Sequence, residues 1–555
     1  MAGVVLLFLL AFRRLATAPL ALVPLGVGLA LTLGFAALVL GALNSATSGF
    51  SALLVGLGID FTIASYSQYV EARAAGRSTA AALGEVPTGV GPAIVLGALT
   101  TVGTFYAFLA TRFTGLRQFG LLTGTGIVFM MVGALLVLPA LIVFAERRAA
   151  PPRPPTWLDP APLLEWAAAH ERAVLIGAGA LTAAAFVALS SLRFDEDPRN
   201  LRSPSKRGLV VQDRITAVFG QSFRNLTVRI DADDVPTVLE RAQTLVVGLR
   251  SLAETGTIAS VESIASLVPP RAEQERVLAW VTVHRALADT GRVAGVLRAR
   301  LAAHGLAPSA FNPGLAALSE ALRPTQPVSV EMWRGTPVQE LVERSLRTSP
   351  HGAATAVTVM TRPGDWRRET PPKLEALVRS VPGAKLTGIN LVARRLRVMG
   401  WQDAALAGGL GLVLVCTLLA WRFRRFVYVL TCLVPVVAGV VWALALMAVA
   451  GAPLNLLNVF VITMIIGISS DYAIYILQRR LEGAAMAELA QTARAVVLAA
   501  LTTVVGFGTL ITTHYPGLRS MGWMAASGVI SAALAAVVVE PVVARRAGRG
   551  AKPDP

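Results

Sequence analysis

The sequence predicts a polytopic α-helical membrane protein with an α/β extramembrane domain set into its second half. Three observations carry that prediction. Only 15% of the 555 residues are charged, against roughly 25% in an ordinary soluble domain. The charges also avoid long stretches: Asp60 is the single charged residue between Arg14 and Glu71, and Asp471 the single one between Arg425 and Arg479. Finally, short motifs recur in the same order in both halves of the chain.

A spanning helix needs about 20 mostly apolar residues, so each of those two stretches holds two spans. Applied along the chain, this places spans near 20–42, 48–70, 88–111, 118–145, 172–192, 403–421, 426–450, 455–478, 494–513 and 520–544. Residues 1–12 read as the tail of a further span. A secretory signal carries its positive charge before the apolar run, whereas Arg13 and Arg14 follow it here. The chain is therefore expected to begin inside a helix, as an N-terminally truncated repeat.

Arginines set the orientation, because cytoplasmic loops are enriched in them. With the Arg13–Arg14 turn inside, alternate loops are also basic: Arg73/Arg77, Arg147/Arg148/Arg153, Arg422/Arg424/Arg425, Arg479/Arg480 and Arg545/Arg546/Arg549. Arg117 and Arg519 are the exceptions. The long 193–402 loop then lies on the far side, the periplasm of a bacterium, and the protein in the inner membrane. The net charge of +17 follows from this topology and from attraction to anionic lipid. Nucleic-acid binding is not expected. Cys416 and Cys432 fall inside spans and form neither a disulfide framework nor a metal spacing.

The repeat is read from three ordered matches. LLVGLGIDF at 53–61 corresponds to MIIGISSDY at 464–472, an offset of 411 from Asp60 to Asp471. ALTT at 98–101 recurs at 500–503, and TGLRQFG at 114–120 matches PGLRSMG at 516–522, both at an offset of 402. The domain organisation expected from this is a partial first-repeat bundle over 1–148, lacking its first span and outer domain. A proline-rich cytoplasmic linker over 149–170 and a span over 171–192 follow. A periplasmic α/β domain fills 193–402, between the first two spans of the second repeat. The second-repeat bundle occupies 403–545, with a cytoplasmic tail at 546–555.

Within the outer domain, 225–230 alternates like a strand, 236–254 has helical periodicity, and 257–264 returns as a strand. A second strand–helix–strand set is expected at 354–360, 372–380 and 384–389, with 271–347 mainly helical. Two such units can pair into an open-faced sheet with helices on one side.

Asp60 and Asp471 are the centre of the candidate site. An Asp at mid-span costs roughly 2.5–3.5 kcal/mol on insertion scales, so it faces a bundle interior or cavity and marks an ion pathway. If the repeats pack about a pseudo-twofold axis, the two carboxyls face each other. Burial and like charge at close quarters are what fit a carboxyl to carry a proton. Hydroxyls surround them in the sequence: Ser470 and Tyr472 beside Asp471, with Thr100, Thr101, Thr502 and Thr503 on facing spans. A hydroxyl both donates and accepts, so these are candidates for a proton relay; packing is the bland alternative. Gly56, Gly58 and Gly467 precede the aspartates and are expected to serve close helix packing or a hinge. No GxxxxGK[ST], GxSxG, HExxH or CxxC occurs, which excludes a P-loop engine in this chain and gives no sign of an enzyme, a cofactor or a metal site.

These residues resemble the resistance–nodulation–division superfamily, in particular its MMPL branch of lipid exporters. The Asp-Tyr pair at 471–472, its counterpart at 60–61, the GLRxxG segments and the large domain after the first span of a repeat carry the resemblance. RFDEDPRNLRSP at 193–204 is similar to the start of the porter domain in hopanoid-type exporters. The resemblance implies a fold of RND-type helical repeats, a porter-like outer domain and proton-driven export of lipid or another hydrophobic cargo. It also implies that Asp60 pairs with Tyr472, while Asp471 meets Phe61 where the family has Tyr. A homo-oligomer, or a partner supplying the missing N-terminal part, is the expected assembly. The competing class is a non-transporting membrane auxiliary or lipid sensor. An intramembrane aspartyl protease fits poorly, because Ile59 separates Gly58 from Asp60 and the second motif runs Asp-Tyr.

Overall fold

The computed structural model describes residues 3, 6–7, 9–10, 17–43, 50–146, 159–195, 207–219, 225–284, 289–321, 326–350, 352–361 and 370–550. Contacts divide it into two compact units, 1–204 with 396–555, and 205–395. The expected tail of a span over 1–12 and the prolines at 151–155 lie largely outside the described residues.

The first unit is helical. Among the described residues, nine helices are long and apolar enough to cross a membrane, from Ala18–Val39 to Pro516–Arg546. Phe50–Ala74, which carries Asp60, stands outside those nine; its 25 residues span about 37 Å at 1.5 Å per residue. Two expected spans prove longer than their apolar runs. The span read at 494–513 is the helix Met486–Ile511, and the one at 403–421 belongs to Ile389–Phe423. Polar residues extend a helix beyond its apolar part, where hydropathy cannot follow. Part of the expected linker is also helical, at Ala161–Ala169.

Both repeats end on the same irregularity. A five-residue π-helical turn, Gly133–Val137, precedes Leu138 and Pro139, and its counterpart Ala535–Val539 precedes Glu540 and Pro541. Proline lacks an N–H and its ring crowds the preceding turn; a π turn is one way a helix absorbs that. The offset is again 402, so the repeat extends to backbone geometry.

The second unit is an α/β layer. Its strands are β1 (Leu226–Ala232), β2 (Ser260–Glu262), β3 (Leu346–Ser349), β4 (Gly352–Met360) and β5 (Ala384–Gly388). The order is β2-β4-β1-β5, every pairing antiparallel, with β3 added on β4 as a hairpin. Helix Val235–Glu254 links β1 to β2 and Pro372–Ser380 links β4 to β5, giving two interleaved β-α-β units. Alternation aims Leu226, Val228 and Ile230 at the buried face, where they meet Leu245, Leu249, Leu374 and Val378 from the two helices. Asp234 starts the first helix by accepting from the Thr237 N–H at 2.8 Å; hydrogen bonds from the Thr237 side chain first, and from its N–H second, hold the Asp234 carboxyl below the usual range. The hairpin strand β3 begins at the end of the stretch expected to be helical, 271–347, and runs two residues past it. LRTS carries no alternation; its pairing with β4, Leu346 opposite Thr355, makes it a strand.

Candidate functional site: two carboxyls exchanged between repeats

The Asp60 helix packs against Met486–Ile511, and the Asp471 helix, Leu456–Leu481, against Gly91–Tyr106. Each aspartate is therefore met by a helix of the other repeat. Thr101 Oγ1 donates to Asp471 Oδ2 at 2.8 Å, and Thr100 Oγ1 lies 3.0 Å from Oδ1. In the mirrored place, Thr502 Oγ1 lies 3.3 Å from Asp60 Oδ1 and Thr503 Oγ1 3.2 Å from Oδ2.

Glycines permit this closeness. An added Cβ at Gly467 would stand 3.3 Å from the Thr101 Cα and 2.5 Å from the Thr104 Oγ1. At Gly56 the nearest atom would be the Thr503 Cα at 3.4 Å, ordinary contact. A Cβ at Gly58 would meet the flexible Met130 side chain at 2.7 Å. Gly97 was not evident from sequence: a Cβ there would stand 3.2 Å from both Cγ and Oδ1 of Asp471. Its repeat counterpart is Ala499, so spacing by 402 does not betray it. Gly467→Ala is thus expected to push Thr101 off Asp471 and cost about 1–3 kcal/mol by overpacking. Gly56→Ala should leave the unfolding temperature within experimental scatter. Thermal unfolding of the two variants in detergent checks the contrast.

Hydrogen counting shows how the network can respond to a proton. The Thr100 hydroxyl lies 2.8 Å from the Gly97 carbonyl as well as 3.0 Å from Asp471. Thr502 lies 2.7 Å from the Ala499 carbonyl, and Thr503 3.2 Å from that of Gly56. A hydroxyl has one hydrogen to donate. When a carboxylate is ionised, these hydroxyls must turn toward it. When it is protonated, they are released to the carbonyls and can accept from it. Thr101 alone of the four has no second acceptor among the described residues, so Asp471 keeps one committed donor and Asp60 has none. The two sites are related by the repeat but are not equivalent.

The remaining expected residues divide. Ser470 donates to the Gly467 carbonyl of its own helix at 2.7 Å and does not reach the carboxyls; in a helix, a serine finds the carbonyl one turn back first. Tyr472 is 2% exposed and lines the same cleft as both aspartates, but its hydroxyl has no partner at hydrogen-bond distance among the described residues. The implied Asp60–Tyr472 pairing is therefore not formed, and Asp60 takes its donors from the threonines. Phe61 lines the cleft at the place equivalent to Tyr472. Arg117 and Arg519 are exposed. Sequence reasoning passed over two further buried acids. Asp403 accepts the backbone N–H groups of Arg112 and Phe113 at 3.0 Å each, which satisfies it structurally. Glu540 is fully buried with neither oxygen hydrogen-bonded. Among the described residues no cluster of His, Cys, Asp and Glu could hold a metal ion.

Comparison with known proteins agrees with this architecture. The model of the MMPL family matches residues 1–162 and 316–555. The chain belongs to the MMPL family. Curated relatives include two proteins named hopanoid transporter HpnN. That of Burkholderia multivorans is 25% identical over 94% of this chain and 63% of its own length, and that of Rhodopseudomonas palustris 23% over 93% and 63%. A putative membrane protein of Methanocaldococcus jannaschii, MJ1562, is 31% identical over 27% of this chain. This MMPL chain thus spans about 63% of the length of the hopanoid transporters it matches. Among solved structures, SecDF, described as a translocon-associated membrane protein, covers 99% of the chain at 17% identity with a TM-score of 0.56. That likeness is one of fold alone. With its apolar helices, this MMPL protein is a multi-pass membrane protein, which in a bacterium places it in the inner membrane.

Proposed function

We propose that this chain is the proton-driven core of an exporter of lipid or another hydrophobic molecule, hopanoid-like lipids being the first class to test. The observation that carries the reading is the exchange of hydrogen bonds between repeats: each mid-helix Asp is held by the other repeat's Thr pair through hydroxyls shared with helix carbonyls. Loading or unloading a proton changes the number of bonds across the interface between the halves. Such a change is what would rock one half against the other. The outer α/β unit is proposed to receive cargo from the outer leaflet. A homo-oligomer, or a partner contributing a further outer domain, belongs to the same proposal. The relatives' description as transporters supports a non-enzymatic role.

The test is reconstitution into liposomes holding a pH-sensitive dye, with an imposed proton gradient. Protein-dependent flux is the expected result. Vesicles with protein that stay as tight as empty ones would remove the proton-driven reading and favour an auxiliary or lipid-sensing role.

A further inference from the structure

The cleft that holds the two aspartates does not end at them. It is lined along both walls by residues at helical spacing, most of them polar. From Asp60 the same face of the helix presents Ala64, Gln68 and Glu71; from Asp471 it presents Tyr475, Gln478 and Glu482. Residues i, i+4, i+7 or i+8, and i+11 share one face of a helix. Glu71, inside its helix, and Glu482, the residue that closes the other, thus stand at equivalent places, each 11 residues and about 16 Å along from its Asp. Tyr472 and Tyr475 line this cleft, and neither hydroxyl has a partner at hydrogen-bond distance among the described residues.

The two terminal carboxylates are not alike. Glu482 accepts from Gln478 at 3.1 Å and is paired with Arg479 at 3.4 Å. The Glu71 carboxylate takes part in no hydrogen bond and no ion pair among the described residues. The charged groups that face it are Arg479 from the Asp471 helix, and Arg494 and Glu488 from Met486–Ile511. On the short helix Thr79–Glu85 packed beside it, Glu85 is already paired with Arg77. One carboxylate is pinned and the other is free to exchange.

We infer that the cleft is an aqueous half-channel from the aspartate pair to the Arg-rich end of the bundle, and that Glu71 is the residue exchanging protons with solvent at its mouth. The inference rests on the proton-driven reading above. A proton leaving Asp471 or Asp60 passes by way of water and the Tyr475 hydroxyl, each accepting one proton and donating another, to the Glu71 carboxylate and then to solvent. Glu482 stays held by Gln478 and Arg479 and takes no part in the exchange.

The test compares wild type with Glu71→Gln, Glu71→Asp and Glu482→Gln in the same dye-loaded liposomes. Glu71→Gln is expected to slow flux at least tenfold, with Glu71→Asp close to wild type. A small diffusible weak acid, such as formic acid, on the Arg-rich side only should restore Glu71→Gln. A role in packing would not respond to the acid. Full flux in Glu71→Gln, or equal loss in Glu71→Asp, overturns the assignment while leaving the aspartate reading intact. Flux absent from wild type itself overturns that reading, and this one with it.

Discussion

Asparagine at position 60 or 471 is expected to reduce proton flux to the leak of empty vesicles, a loss of at least about a hundredfold, or roughly 2.7 kcal/mol in barrier height. Asn has nearly the shape of Asp and its carbonyl still accepts from the Thr pairs, so the helix packing survives. It has no proton to release near neutral pH. The two substitutions should therefore leave the unfolding temperature nearly unchanged while both abolish flux, which separates a carrier from a structural acid. Because Asp471 keeps Thr101 as a committed donor and Asp60 has no such donor, the two sites should differ when the threonines are altered. Thr101→Val removes the one unshared donor and is expected to slow flux more than Thr502→Val. Dye-monitored rates across the four variants decide it. Flux that persists in either Asp→Asn variant would mean that one carboxyl is enough.

Glu540→Leu is expected to stabilise the protein by about 1–3 kcal/mol, the cost of a buried polar group left without a hydrogen bond. Glu540 is fully buried and neither carboxyl oxygen finds a hydrogen bond. The first repeat has already made the substitution: Leu138, 1% exposed, occupies the same place between a π turn and a proline. An unpaired buried carboxyl costs desolvation with nothing to offset it, whereas leucine fits a site whose twin accepts it. Thermal unfolding in detergent, followed by tryptophan fluorescence, should move upward. A lowered midpoint would show that the second repeat packs around the carboxyl in a way the first does not.

The bundle and the site were legible in the sequence to different depths. Period-2 alternation at 226–230 and the two strand–helix–strand sets led to the sheet, because each strand there buries one face against a helix. The hairpin strand β3 was not readable, since only its partner β4 makes it extended. The Thr pairs emerged from the recurrence of ALTT, and the structure brings them onto the opposite repeat's aspartates. Side-chain rotamers carry no such periodic signal. Ser470 turning to its own helix and the Tyr472 hydroxyl left without a partner could not be read from residue type and spacing. Glu540 did leave a signal, the 402-residue offset pairing it with Leu138, but an apolar run with one acid near its end reads as the close of a span.

Hydrogen bonds exchanged between repeats also bear on descent. If Asp60 depends on Thr502 and Thr503, and Asp471 on Thr100 and Thr101, one copy of the unit cannot complete either site alone. A single-copy ancestor would have worked only as a two-fold dimer, with each carboxyl reaching into its neighbour. Fusion into one chain released the two copies from having to be identical. Phe61 opposite Tyr472, Gly97 opposite Ala499 and Leu138 opposite Glu540 are the places where that freedom has been used.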